Sequence, residues 1–170
     1  MMSNSVRADA VMSGLFFLAA PGVTAGLVPW LLTGWAYDGP FGWAQGAGIA
    51  LAAAGLALVV AAFVQFVIEG HGTPAPTAPT ELLVVGGLYR WVRNPMYVAV
   101  AAMIGGQALF FEDRGVAIWL VVFCAAVWTF TVAYEQPTLR RRYGAQYATY
   151  CENVPGWYPR LTPWQPEESR

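Results

Sequence analysis

The stretch Gly87-Leu-Tyr-Arg-Trp-Val-Arg-Asn-Pro-Met-Tyr97 places two arginines and three aromatic rings at the start of a long uncharged run. An arginine at the centre of a bilayer costs roughly 2.5–3.5 kcal/mol on insertion scales, so Arg90 and Arg93 belong at a membrane boundary. Asn94 is a favourable N-cap residue, and Pro95 fits the first position of a helix. The stretch therefore predicts that a membrane helix begins at Pro95.

The composition of the whole chain also indicates a membrane protein. Of its 170 residues, 57% are hydrophobic and only 11% are charged, whereas soluble domains carry about 25% charged residues. The mean hydropathy is +0.46. The net charge of −1 favours neither nucleic acid nor another polyanion as a partner. A chain of this length is expected to form a single membrane domain over residues 1–170.

Four apolar stretches are long enough to cross about 30 Å of hydrocarbon. We predict membrane spans at 11–32, 44–68, 95–111 and 116–134. Pro21 and Pro29 interrupt the first span, which predicts a kinked helix or two short pieces. Residues 112–115 are polar and form a tight turn, so the last two spans make an antiparallel hairpin. Small residues four apart, such as Gly48 with Ala52 and Ala102 with Gly106, predict close helix packing.

The arginines predict the orientation of these spans. With four spans, both termini, the 69–94 loop and the 135–170 tail lie on one side of the membrane. Only Arg114 lies on the other side. The positive-inside rule therefore predicts an integral membrane protein, in the cytoplasmic membrane if bacterial, with both termini in the cytoplasm. The arginines on the predicted cytoplasmic side are Arg7, Arg90, Arg93, Arg140, Arg141, Arg142, Arg160 and Arg170.

The tail combines a helical pattern with an extended segment. Leu139, Tyr143 and Tyr147 recur every four residues and form one face of a helix, with residues 140–142 mostly off that face. This pattern predicts an amphipathic helix on the cytoplasmic surface. Residues 154–164 contain three prolines and predict an extended strap at the interface or over a cytoplasmic cleft. The expected fold is therefore an all-α integral membrane protein with about four transmembrane helices, a cytoplasmic amphipathic C-terminal helix and this strap.

The polar residues around Pro95 form the best candidate site. The free amides and positive dipole end of the helix, together with Arg93, suit a carboxylate. Tyr89 and Tyr97 can donate hydrogen bonds or stack on a flat ring. Glu135 ends the fourth span and is expected near Arg93, where it binds an amine or hydroxyls of a ligand or pairs with Arg93. The alternative is a belt of aromatic rings and arginines that anchors the helix in the headgroups.

Histidine and cysteine do not form a metal site in this sequence. His71 is the single histidine and stands in a glycine-rich loop, so we interpret it first as a loop residue and second as a proton acceptor for a substrate. Cys124 lies in an apolar run, where a buried thiol behaves as a small hydrophobe. Cys151 has no neighbouring cysteine or histidine. We therefore expect no bound metal.

Five motifs in order resemble the isoprenylcysteine carboxyl methyltransferase family, in the wider group with the phospholipid methyltransferases. The resemblance covers residues 69–160. It implies integral membrane methyltransferase activity with S-adenosylmethionine bound on the cytoplasmic side. The motifs are Gly70-His-Gly-Thr-Pro-Ala-Pro76, the opening stretch of residues 87–97, Glu135-Gln-Pro-Thr-Leu139, Tyr143-Gly-Ala-Gln-Tyr-Ala-Thr-Tyr150 and Val154-Pro-Gly-Trp-Tyr-Pro159.

The resemblance also assigns residues by position. Arg93 and Glu135 are the expected catalytic residues. The chain departs from the family at Gln136, where a second acid is usual, and at Asn94, where the eukaryotic prenylcysteine enzymes carry histidine. These departures are compatible with cofactor binding and leave the acceptor open. The expected cofactor-binding residues are Tyr89, Arg93, Asn94, Pro95, Tyr97, Glu135 and His71.

The predicted function is methyl transfer from S-adenosylmethionine to a small amphiphilic or lipid-like acceptor taken from the bilayer. One alternative is a phospholipid N-methyltransferase with the same cofactor. Another is a membrane reductase of the sterol reductase type that binds NADPH, which the short chain disfavours. A non-enzymatic membrane scaffold or transport subunit would explain the spans but not the ordered polar motifs.

Overall fold

The computed structural model describes residues 19–70 and 83–165, without the side chains of residues 66–70. All regular elements in these ranges are helical, as predicted. A short 3₁₀ turn, Gly87–Arg90, precedes the third helix, and residues 154–165 have no regular structure. The helices are α1 (Ala19–Thr33), α2 (Trp43–Gly70), α3 (Pro95–Phe111), α4 (Arg114–Phe130) and α5 (Gln136–Asn153).

Two helices are long and apolar enough to cross a membrane. The first is Trp43–Gln65 of α2, with a mean hydropathy of 2.5 and 22% of its most apolar stretch buried. The second is the continuous helix Arg114–Asn153, which begins with α4. Its most apolar stretch has a mean hydropathy of 2.3, and 17% of that stretch is buried. A core helix of a soluble protein would be mostly buried, so this exposure favours a lipid environment. The helices α1 and α3 are apolar but shorter. The four-span count and the cytoplasmic placement of α5 stay predictions.

The predicted boundaries of α3 agree with the structure at both ends. The helix begins at Pro95, with Asn94 at the N-cap position. The N-cap position of Asn94 is therefore confirmed, but its side chain caps no helix amide and instead donates to the Gly156 carbonyl at 3.0 Å. At the other end, Asp113 caps α4 by accepting from a backbone amide at 2.8 Å. The tight turn between the two helices is therefore confirmed.

The first helix contains a wide turn rather than a break. Its residues Gly22–Leu27 are π-helical and follow directly after Pro21. Partners on the neighbouring helices bind the carbonyls of this turn, as a membrane interior requires. Gln107 Nε2 of α3 donates to Ala25 O at 2.7 Å, and Trp119 Nε1 of α4 donates to Thr24 O at 2.8 Å. These bonds attach α1 to the α3–α4 hairpin. Residues 11–18 of the predicted first span lie outside the described residues.

The helices α2 and α3 approach each other through small residues. A Cβ built on Gly106 would lie 2.5 Å from both Ala52 N and Gly48 O. The predicted contact at these small residues is therefore confirmed, and it brings the two backbones together. At one end of the α2–α3 contact, the buried side chain of Gln45 on α2 donates to Phe110 O of α3 at 3.2 Å.

The fourth helix continues without interruption into the polar tail. A π-helical turn, Thr131–Glu135, joins α4 to α5. Within α5 the backbone departs from helical geometry at Gly144 (φ 52°). The predicted apolar face of α5 packs against a buried cluster, whereas residues 140–142 are exposed. The cluster contains Val84, Tyr89, Tyr147, Tyr150 and Val154.

Candidate functional site

The strap (residues 154–164) lies on the segment that leads into α3. Four backbone hydrogen bonds join it to residues 90–94. The strap therefore lies over the start of α3. Its predicted position at the interface or over a cytoplasmic cleft stays a prediction. The bonds, with the donor first, are Arg93 N to Pro155 O at 2.9 Å, Asn94 N to Gly156 O at 3.2 Å, Arg160 N to Trp91 O at 2.9 Å and Trp164 N to Arg90 O at 2.9 Å.

Arg93 is enclosed by the strap and α5 but keeps donor capacity. Its Nη1 donates to Cys151 Sγ at 2.8 Å, while its buried Nε has no hydrogen-bond partner among the residues that the structure describes. A Cβ built on Gly156 would lie 3.4 Å from Arg93 Nη2, so the glycine leaves room beside the guanidinium. A guanidinium binds a carboxylate through two parallel hydrogen bonds. The arrangement around Arg93 therefore suits an anion.

Glu135 contacts Tyr97 rather than Arg93. The Tyr97 hydroxyl donates to Glu135 Oε2 at 3.3 Å, and the Thr131 hydroxyl lies 3.5 Å from the same oxygen. The direct pairing of Glu135 with Arg93, one of the predicted options, is not formed among the described contacts. The Tyr97 ring also stacks on Trp157 of the strap, with centroids 6.2 Å apart and planes inclined by 26°. Three elements thus meet at Tyr97: α3, the π-helical turn and the strap.

Buried tyrosines lie close to Arg93. The Tyr150 hydroxyl donates to Tyr89 O at 2.7 Å and ties α5 to the 3₁₀ turn. Tyr150 lies in the polar helix α5, beyond the apolar spans. Burial raises the pKa of its phenol above the ordinary value, against the opposing charge of Arg93. The phenol therefore stays protonated and remains a donor. Tyr89 is buried here, and its contact with a cofactor stays a prediction.

The structure gathers most of the predicted site residues in one region. Arg93, Asn94 and Pro95 lie beneath the strap, and Tyr97 links them to Glu135. His71 lies outside the described residues. The roles of all these residues in binding a cofactor stay predictions.

Sequence reasoning missed three contacts, made by Thr131, Cys151 and Trp157. A signal existed for Cys151, because it follows Tyr147 by four residues and so continues the apolar face of α5. We find no comparable local signal for Trp157, because its contact with Tyr97 joins residues far apart in the chain.

Comparison with known proteins gives one family. A family model described as phospholipid methyltransferase matches residues 43–146, which is more than half of the chain. The match includes Arg93, Tyr97 and Glu135 and ends before Cys151 and the strap. No curated protein matches the chain.

Proposed function

Since the chain belongs to the phospholipid methyltransferase family and is an integral membrane methyltransferase, we propose that it transfers a methyl group from S-adenosylmethionine to a small amphiphilic or lipid-like acceptor. The observation that carries this proposal is the buried Nε of Arg93, which no group in residues 19–70 and 83–165 accepts from. A buried polar group without a partner costs roughly 1–3 kcal/mol, and more when charged. A ligand with a carboxylate, such as the methionine part of this cofactor, would supply the missing partner.

The groups around Tyr97 fit the remaining parts of the same ligand. The rings of Tyr97 and Trp157 offer flat apolar surfaces for an adenine base. Glu135 offers a carboxylate that can accept from an ammonium group or ribose hydroxyls. Asn94 and Gly156 hold the strap closed over this region. These residues supply an anion partner, a cation partner and a stacking surface, which together fit an amino acid joined to a nucleoside.

The residues act mainly by binding and alignment. When bound, S-adenosylmethionine supplies a methyl group on a positively charged sulfur. Arg93 would bind the carboxylate of the ligand, Glu135 would bind its ammonium group or its ribose hydroxyls, and the strap would exclude water. Well-oriented reactants can gain roughly 7–11 kcal/mol over free reactants, so alignment supplies much of the required acceleration. A carboxylate or thiolate acceptor needs no strong base, whereas a protonated amine would first lose a proton to water or to Glu135.

Phospholipid N-methylation is the second candidate function. The family description favours it, because it names a phospholipid as the acceptor. The cofactor and the Arg93 site would be the same. The two candidates differ in whether the acceptor nucleophile is an amine, and product analysis with lipids of each type separates them.

A titration with two ligands tests the proposed cofactor. Purified protein in detergent is titrated with S-adenosylmethionine and, in parallel, with NADPH. We expect binding of the first and none of the second. Arg93→Ala is expected to weaken the binding of S-adenosylmethionine by about ten- to a hundredfold, because hydrogen bonds to charged groups contribute roughly 1.5–3 kcal/mol. Arg141→Ala, at an exposed arginine on α5, is the matched control and should bind normally.

Two results would refute the assignment. One is binding of NADPH without S-adenosylmethionine. The other is equal affinity of the Arg93→Ala and Arg141→Ala proteins, with both folded by circular dichroism. In that case Arg93 would only anchor the chain at the headgroups.

A further inference from the structure

The side chain of Cys151 joins α5 to the Arg93 guanidinium. Its Sγ lies 2.8 Å from Arg93 Nη1, although the two residues are 58 positions apart in the chain. Cys151 is half-buried and is a free cysteine. Tyr147, four residues earlier on α5, lies beside the same pair and interacts electrostatically with both groups. The contact therefore links the polar helix α5 directly to the candidate cofactor site.

The sulfur restrains Arg93 without neutralising its charge. A thiol sulfur is a weak hydrogen-bond acceptor, whereas a carboxylate at the same place would take two parallel bonds from the guanidinium. Within residues 19–70 and 83–165, no acidic side chain forms an ion pair with Arg93, and its buried Nε has no acceptor. Arg93 Nη2 lies beside Gly156, which has no side chain to fill the space there. A ligand carboxylate would therefore meet a guanidinium that is held but still has donors to give.

Buried residues on both sides of Cys151 fix the position of its sulfur. Tyr147, Tyr150 and Val154 are 4%, 3% and 0% exposed. The Tyr150 hydroxyl donates to Tyr89 O at 2.7 Å, and at the end of α5 Val154 N donates to Tyr150 O at 2.9 Å. Residues three or four apart lie on the same face of a helix, so these anchors share the face that carries Cys151. The sulfur is therefore held in place before any ligand arrives.

We infer that Cys151 is a positioning residue, whose sulfur holds the Arg93 guanidinium in the orientation that binds the carboxylate of S-adenosylmethionine. The inference rests on the proposed function, since it takes Arg93 as the partner of that carboxylate. An unrestrained arginine side chain has many rotamers, and ordering it when a ligand binds lowers the affinity. A sulfur that is already in contact with Nη1 reduces this loss. Cys151 therefore acts through Arg93 and not on the ligand itself.

A double-mutant cycle between the two residues tests the inference. The affinity for S-adenosylmethionine is measured by titration in detergent for the unmodified protein, Cys151→Ala, Arg93→Ala and the double variant. Each protein is also titrated with decarboxylated S-adenosylmethionine, which lacks the carboxylate. Cys151→Ser keeps an acceptor at the same place and is the rescue variant. Cys124→Ala removes the other cysteine, which is exposed on α4, and is the matched control.

We expect Cys151→Ala to weaken the binding of S-adenosylmethionine by about three- to tenfold, the range expected of one ordinary hydrogen bond. Binding of the decarboxylated analogue should be unchanged, because the analogue has no carboxylate for Arg93 to bind. Cys151→Ser should restore most of the affinity, and Cys124→Ala should keep all of it. In the Arg93→Ala protein, the further change Cys151→Ala should leave the affinity unchanged.

Three results would overturn the inference. Equal losses of affinity for the cofactor and its decarboxylated analogue would show that Cys151 supports packing only. A loss of the same size in the Arg93→Ala protein would show that Cys151 does not act through Arg93, and an unchanged affinity of Cys151→Ala would show that it does not act at all. Folding of each variant is checked by circular dichroism, and Cys151→Val is a second variant without an acceptor in case Cys151→Ala does not fold.

The same titrations separate this inference from the proposed function. If Arg93→Ala weakens the binding of S-adenosylmethionine and Cys151→Ala does not, only the role of Cys151 is refuted. If the unmodified protein binds no S-adenosylmethionine, the proposed function is refuted, and the role of Cys151 is refuted with it.

Discussion

Two adjacent glycines of α3 are expected to respond to the same substitution with opposite signs. A Cβ at Gly106 would lie 2.5 Å from backbone atoms of Gly48 and Ala52, which cannot move without shifting α2. A Cβ at Gly105 would meet only the ends of two leucine side chains, at 3.5 and 3.8 Å. The first distance is a clash, and the others are ordinary contacts.

The magnitude follows from two opposing effects. Replacing a helical glycine with alanine gains roughly 0.8–1.0 kcal/mol from helix propensity at either position. Overpacking at Gly106 costs about 1–3 kcal/mol, or more when backbone must move. Gly105→Ala should therefore stabilise the protein by about 0.5–1 kcal/mol. Gly106→Ala should destabilise it, and the difference between the two variants isolates the overpacking cost.

The assay is unfolding in mixed detergent micelles with increasing SDS, followed by circular dichroism. The expected result is a midpoint above that of the unmodified protein for Gly105→Ala and below it for Gly106→Ala. Equal midpoints for the two variants would refute the close approach of α2 and α3 at Gly106. A stabilising Gly106→Ala would refute it as well.

Two further predictions concern polar side chains of α3. Gln107→Leu removes the donor to the π-helical turn of α1, which should cost about 1 kcal/mol of stability and speed amide exchange in α1; unchanged exchange would contradict this. Tyr97→Phe keeps the ring that stacks on Trp157 but removes the hydrogen bond to Glu135. It should lower kcat/KM by about ten- to a hundredfold at constant fold, and activity equal to that of the unmodified protein would exclude the hydroxyl from the site.

Local signals predicted much of the helical architecture. Pro95 marked the start of α3 because proline suits the first helical position, and the polar residues after Phe111 marked its end. Small residues four apart predicted the contact of α2 with α3. The continuous helix from α4 into α5 could not be predicted in this way, because charged residues mark the edge of an apolar span but do not end a helix.

The contacts that depend on distant residues could not be predicted in the same way. The π-helical turn of α1 depends on Gln107 and Trp119, more than eighty residues further along the chain. The Asn94 amide points to the strap instead of capping α3, because Gly156 supplies an acceptor there. Because the last two spans were predicted to form a hairpin, we expected Glu135 to lie near Arg93. In the structure α5 instead brings Cys151 to the Arg93 guanidinium.

Methyl transfer can be followed with a labelled methyl group. Purified protein in vesicles of a total lipid extract is incubated with S-adenosylmethionine labelled in its methyl group. The aqueous and organic phases are then separated and analysed for labelled products. We expect label in a lipid-soluble product, and we expect this label to be lost with Arg93→Ala and kept with Arg141→Ala. Label that stays entirely in the cofactor, or a product formed equally by both variants, would contradict it.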